Sequence, residues 1–387
     1  MKISNRSQVE SFLVMDIMRE ASLLELEGKS IIHMEVGQPS TGASVEALNN
    51  LKKKMFSDQL GYSVALGLPE LRQQIAELYK KRYKLNIDPE RVVITAGSSA
   101  AFTLSFLTFF DSGDQILLGE PGYPSYKNIM KSLNLVPDIA LTTFENRFHL
   151  TVDLIKASSA RGVLVASPSN PTGVALKKAE LERLIDMAKQ KKMVFISDEI
   201  YHGLNFNGKD VSALELNDDA IVINSFSKYF SLTGWRLGWM IAPLDFVRPI
   251  EKLSQNLFIC ASHASQYLGL YSINSSTNFD SKVIEYKNNR DALMKQLPSL
   301  GFSNIVRPDG AFYIYADISK FNTSSDKLAR DILVKTGVAI TPGIDFDRTR
   351  GHNTVRFSFA CSQKEVSQAI DRLTIWSLSY KKNNEIF

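Results

Sequence analysis

The sequence predicts an α/β fold: a large unit with a mostly parallel sheet covered by helices, joined to a smaller α+β unit. Three observations carry this. The runs VVITA (92–96), QILLG (115–119), GVLVAS (162–167), MVFIS (193–197) and AIVIN (220–224) are continuously apolar, as strands buried on both faces are. Helical stretches separate most of them, which parallel strands require of their connections. At 387 residues the chain also exceeds one ordinary core.

Taken in order, residues 11–28 place apolar groups at helical spacing and end at Gly28, a residue suited to a helix C-terminus. Ile31 to Val36 reads as a short strand, followed by the turn Gly37-Gln38-Pro39. Val45 to Met55 reads as a helix, and Pro69 stands where a first helical turn accepts proline. The strand-turn-helix series then runs from Val92 to Met240. Ala101 to Phe110, the most apolar window, is a buried helix about half as long as a membrane span. From about Lys282 a long polar-faced helix leads into the second unit. There the expected elements are a strand at 311–317, a helix at 327–336, strands at 338–341 and 354–359, and a last helix near 364–378. The expected division is a large domain at 40–285 and a small one formed by 1–39 with 286–387.

Hydrophobic content of 44% with 22% charged residues is that of a globular protein, and a net charge of +4 without a basic block argues against nucleic acid. Cys260 and Cys361 show no metal spacing, so free thiols are expected. The N-terminus has no apolar signal region. A cytoplasmic protein without metal or membrane partner is the expectation.

Each predicted sheet strand ends in a turn of chemically apt residues: Ser98-Ser99, Tyr123, Asn170, Asp198 with Tyr201, and Ser225 with Ser227 and Lys228. Open parallel sheets bind ligands at this carboxyl edge. A lysine after a Ser-x-Ser turn, with Arg236 just beyond, suits an amine that holds an aldehyde cofactor beside a phosphate. A loop lysine on the surface is the simpler reading of Lys228 alone. If the cofactor carries a pyridine ring, Asp198 is the candidate to keep the ring nitrogen protonated, although a strand-end Asp also caps helices. Asn170 and Tyr201 offer hydrogen bonds to a ring oxygen, and Tyr123 an aromatic face. A phosphate suits the helix start after Ser98-Ser99. Arg356, inside TVRFSF, is either half of a structural ion pair or a bidentate carboxylate binder.

The motifs GLPELR (67–72), AGSSAA (96–101), PGYPSY (121–126), NPTG (170–173), DEIY (198–201), SFSK (225–228), GWRLGW (234–239), GAFY (310–313) and VRFSFA (355–360) occur together in one order along the chain. With them the chain resembles the class I aminotransferases of fold type I, the pyridoxal-phosphate enzymes that include aspartate aminotransferase. The resemblance implies that Lys228 forms the Schiff base with pyridoxal 5'-phosphate and moves the proton, that Asp198 partners the ring nitrogen, and that Tyr201 and Asn170 bind the ring oxygen. It implies cofactor contacts from Tyr123, Ser98, Ser99, Ala100, Ser225, Ser227 and Arg236. It further implies a homodimer in which Tyr62 reaches the neighbouring subunit's cofactor. The substrate pocket would contain Gly37, Asn170 and Phe312, with Arg356 on the α-carboxylate. Some aspartate-using relatives carry a lysine in the turn after the 92–96 strand, where this chain has Ser99. That weakens the case for a dicarboxylate as sole substrate and leaves aspartate open.

The implied activity is transfer of an amino group from an L-amino acid to a 2-oxo acid by a ping-pong mechanism. The alternatives are a β-lyase on the same fold and a cofactor-binding regulator. A regulator of that kind carries an upstream DNA-binding domain, for which the roughly thirty residues before the first strand are too few.

Overall fold

The computed structural model describes residues 2–275 and 279–384. In chain order its principal elements begin with α1 (Leu13–Leu26), β1 (Ile32–His33), α2 (Val45–Ser57), α3 (Pro69–Tyr83), β2 (Val92–Thr95), α4 (Gly97–Phe109) and β3 (Gln115–Glu120). Next come α5 (Pro124–Ser132), β4 (Val136–Leu141), α6 (Val152–Ala157), β5 (Gly162–Ala166), α7 (Lys178–Gln190), β6 (Val194–Asp198), β7 (Ile221–Ser225) and β8 (Gly238–Ile241). The remainder is α8 (Leu244–Leu257), α9 (His263–Asn274), α10 (Phe279–Gln296), β9 (Tyr313–Asp317), α11 (Ser325–Thr336), β10 (Val338–Ala339), β11 (Thr341–Pro342), β12 (Thr354–Ser358) and α12 (Gln363–Asn384).

Seven strands form one sheet in the order β2-β8-β7-β6-β5-β3-β4, in which β8 alone runs against its neighbours. Both faces are covered, and the side-chain period of two divides the apolar runs between them. Val93, Ile116, Leu118, Leu164, Ile196, Ile221, Ile223 and Met240 pack with residues of α4, α5 and α8. Val92, Leu117, Val163, Val165, Phe195, Val222 and Trp239 face the opposite core. Because β8 is reversed, the residues that precede it, including Arg236, sit at the same edge as the carboxyl ends of its neighbours.

The smaller sheet is antiparallel, β11-β12-β9, and β1 pairs in parallel with β10. Two expectations change here. The 31–36 run yields only the two paired residues of β1, because β10 offers a partner of just that length. The 338–341 run divides, with β10 joining β1 and β11 joining β12. β4 escaped detection because Pro137 and Asp138 interrupt its apolar pattern. Proline is tolerated there since β4 is a sheet edge.

Close packing of β8 on the start of α4 depends on Gly238. A Cβ there would lie 2.9 Å from the Gly97 carbonyl carbon and the Ser98 amide nitrogen, and 3.0 Å from Asn224 O. These are backbone atoms that cannot rotate away. Gly238→Ala is therefore expected to lower unfolding free energy by about 1–3 kcal/mol, measured by urea denaturation. A loss under about 0.5 kcal/mol, the range of ordinary surface changes, would show that the strand and helix separate freely.

Candidate active site

The carboxyl edge of the large sheet opens into a cavity of about 200 Å³. Its lining includes Gly37, Ser98, Ser99, Tyr123, Asn170, Asp198, Tyr201, Ser225, Ser227, Lys228, Arg236 and Arg356. The large-sheet turns, the glycine turn near the N-terminus and β12 thus converge at one place. Ala100 is buried in the first turn of α4, next to Ser98 and Ser99, and is not part of the lining.

Lys228 follows directly on the turn after β7. Its Nζ donates to Gly37 O at 2.6 Å, so the amine points into the cavity. Burial lowers its pKa to about 8, helped by the positive charges of Arg356 and Arg236 and opposed by Asp198. The surface-lysine reading does not describe it. Gly37 also leaves room for Tyr313, because a Cβ there would fall 1.9 Å from the Tyr313 hydroxyl oxygen.

Asp198 ends β6 and is fully enclosed. Burial pushes its carboxyl up to about 6, against the lowering effect of two donors, the Tyr126 hydroxyl and the Ile200 amide. The Ile200 amide reaches Asp198 Oδ1 at 3.1 Å, so the local capping role and exposure to the cavity coexist. Tyr126 was not singled out in the sequence. It lies three residues after Tyr123 with a helix beginning at Pro124, a spacing that places both on one helical face.

Around Arg236, Ser225 Oγ donates to Ser227 Oγ at 3.0 Å, and the Ser227 amide donates to Ser225 Oγ at 3.0 Å. Ser98 and Ser99 stand in the first turn of α4, where backbone amides lack helical acceptors. Hydroxyls, free amides and a guanidinium gathered at a helix N-terminus make an anion cradle.

Arg356 is buried between the rings of Tyr313 and Phe346, at 4.4 and 4.6 Å from its guanidinium carbon. Its Nη1 donates to Asn170 Oδ1 at 2.8 Å, while Nη2 reaches Glu35 O and, at 3.2 Å, Thr341 Oγ1. Among the described residues no carboxylate forms an ion pair with it, and its Nε is buried without a partner. The ion-pair alternative finds no partner, and a buried cation held only by neutral acceptors retains an unmet demand for an anion.

Phe312 stands just behind the lining, with Lys228 Nζ 5.9 Å from its ring centroid. It is completely buried and its ring packs edge-on against Tyr201, 5.6 Å between centroids. Tyr313 lines the cavity instead, with its hydroxyl 2.8 Å from that of Tyr201. Register explains the exchange: Arg356 pairs with Tyr315 and Ser358 with Tyr313, so Tyr313 shares the face of Arg356, and a one-residue step points to the other side. Tyr62 is outside the cavity and 82% exposed in the single chain.

The lining also contains Phe12, Val14, Met15 and Val36, none of which the sequence marked. Only their proximity to residues hundreds of positions away reveals them.

Residues 29–373 match the family model for aminotransferases of class I and II. The valine–pyruvate aminotransferase of Mycobacterium tuberculosis is 38% identical over 97% of this chain and 98% of its own length. A solved chain from Silicibacter pomeroyi superposes with a TM-score of 0.93 at 47% identity, covering 98% of this chain and 100% of that one. An aminotransferase structure from Mycobacterium tuberculosis gives 0.95 at 37%, again over 98% and 100%. The chain belongs to the class I and II aminotransferase family and is a pyridoxal-phosphate-dependent aminotransferase of fold type I.

Proposed function

We propose that the enzyme moves the amino group of an L-amino acid to a 2-oxo acid in two separate half-reactions, with Lys228 as the residue that holds the cofactor and transfers the proton. The observation that carries this is the buried amine of Lys228 in a cavity that also holds an acid, an anion cradle and a second buried cation.

The residues present fit pyridoxal phosphate. Asp198 is a buried carboxylate without a cationic partner within ion-pair distance among the described residues, which suits a protonated ring nitrogen. Ser98, Ser99, Ser225, Ser227 and Arg236, with the backbone at Ala100, would take the phosphate. Tyr123 would cover a ring face, and Asn170 and Tyr201 would bind the ring oxygen. When bound, the cofactor supplies an electron sink for the charge that develops at the substrate Cα.

In this reading Arg356 holds the substrate carboxylate, with Asn170 fixing the plane of the guanidinium. Lys228, as a neutral amine, would take the proton from the substrate Cα and deliver it to the carbon on the far side of the nitrogen. Its lowered pKa keeps a large share of the amine neutral near pH 8. Tyr313 supports both neighbours, through its hydroxyl contact with Tyr201 and its ring against Arg356.

The assembly and location belong to the same reading. A homodimer is supported by exposed apolar groups at and after α2, including Val45, Phe56, Tyr62 and Val64. Tyr62 would then reach the neighbouring subunit's cofactor. The division into 40–285 and a second unit of 1–39 with 286–387 is supported by the pairing of β1 with β10, which ties the N-terminal segment to the C-terminal part. Among the described residues no helix is long and apolar enough to cross a membrane. The free thiols of Cys260 and Cys361 suit a reducing cytoplasm.

The test is a single half-reaction. The holoenzyme mixed with its amino donor and no acceptor is expected to release one equivalent of 2-oxo acid per site and stop. Continued release of oxo acid and ammonia without an acceptor would identify a lyase instead.

A further inference from the structure

We propose that one face of α9, formed by His263, Gln266 and Tyr267, is the positioning element that presents Tyr62 to the neighbouring subunit's cofactor. This rests on the dimer reading of Tyr62 given above.

Residues 58–68 join α2 to α3 without helix or strand. A surface connection of this kind is ordinarily among the more mobile parts of a fold. Here α9 holds it at four points. The Tyr267 hydroxyl donates to Asp58 Oδ2 at 3.1 Å, and Asp58 Oδ1 accepts the Leu60 amide at 2.9 Å. His263 Nδ1 donates to Gly61 O at 2.7 Å, so that nitrogen carries the proton. Gln266 Nε2 donates to Ser63 Oγ at 2.9 Å, and Gln266 Oε1 accepts the Leu68 amide at 2.7 Å. Positions 263, 266 and 267 are three and four residues apart, which sets them on one side of the helix. The His263 and Tyr267 rings stack with centroids 5.0 Å apart, and Gln266 is completely buried, so the clamping groups are themselves held.

Tyr62 falls between two of these points, Gly61 and Ser63. The chain is pinned on both sides of it, while its ring is 82% exposed in the single chain. Ordering a segment costs conformational entropy, and a loop that must order on binding loses that much affinity. A loop already held in place delivers the Tyr62 hydroxyl to a phosphate at less cost. The clamp therefore acts on the neighbouring subunit's site.

The experiment follows the rate at which the diluted holoenzyme loses the absorbance of lysine-bound pyridoxal 5'-phosphate. Tyr62→Phe should speed the loss on the order of tenfold, the effect of one hydrogen bond to a charged group. His263→Leu should speed it at least about threefold in the native background and less than about 1.5-fold in the Tyr62→Phe background, as expected of groups that act through one contact. Ser63→Ala removes the hydroxyl that Gln266 holds, leaves the buried amide in place, and should follow the same pattern. Mixed dimers, co-expressed with different tags, locate the effect. A chain carrying Lys228→Ala and His263→Leu together, paired with a native chain, should speed cofactor loss from the native chain's Lys228. The same two substitutions on separate chains should leave the one remaining Lys228 site at the native rate. Equal acceleration by His263→Leu and Ser63→Ala with and without Tyr62→Phe overturns the clamp and leaves the aminotransfer reading standing. An effect that stays with the chain carrying His263→Leu, or native rates in both variants, does the same. A native rate in Tyr62→Phe overturns the dimer reading of Tyr62, and the proposal with it.

Discussion

Lys228→Ala is expected to lower kcat by about 10⁴-fold or more, the upper range for loss of a positioned general base. Among the described residues the variant removes the one amine on the cavity lining. Exchange of the substrate's Cα hydrogen with solvent should stop together with turnover, which separates loss of the proton carrier from slow product release. The pH dependence follows from the same burial. A buried amine is disfavoured in its charged form, so Lys228 becomes nucleophilic as pH rises through about 8. In the cofactor-free protein its acylation by acetic anhydride should be half-maximal there, well below the ~10.4 of an ordinary lysine. A titration midpoint at the ordinary value, or a Lys228→Ala enzyme within tenfold of the native rate, would remove Lys228 from the mechanism.

The second large effect is expected at Arg356. If Arg356 holds the substrate carboxylate, Arg356→Met deletes two charge-assisted hydrogen bonds, about 3–5 kcal/mol together, or some 10²- to 4 × 10³-fold in kcat/KM. Stability should change little, by under about 1.5 kcal/mol, because the guanidinium is held by neutral acceptors and its removal ends a desolvation cost. A structural ion pair behaves oppositely: breaking one buried pair costs about 3–5 kcal/mol of stability. Paired urea denaturation and steady-state kinetics therefore decide the role. Arg356→Lys should recover little, since an ammonium cannot reproduce the planar fork.

Much of the site could be read before folding because its residues sit in turns that follow strands. A parallel sheet delivers every such turn to one edge, so Ser98, Tyr123, Asn170, Asp198 and Lys228 were grouped by topology alone. Arg236 belonged with them only because β8 reverses direction, which continuous apolar patterning does not reveal. Tyr126 was within reach of a helical-spacing argument, whereas that Tyr313 lines the cavity with Phe312 packed behind it depended on the register of β9 against β12.

Local patterns were enough for the class of fold and for the residue types gathered at the large-sheet edge, Lys228 among them. Those patterns are strand periodicity and the residue types at strand ends. Which side chains line the cavity depended on long-range packing. The start of α1, the Gly37 turn and β12 meet across separations of hundreds of residues, and packing against Asp345 and Tyr313 fixes where they stop. Burial then sets the charges: the lowered pKa of Lys228 and the raised pKa of Asp198 arise from the loss of water around them, a property of the assembled cavity.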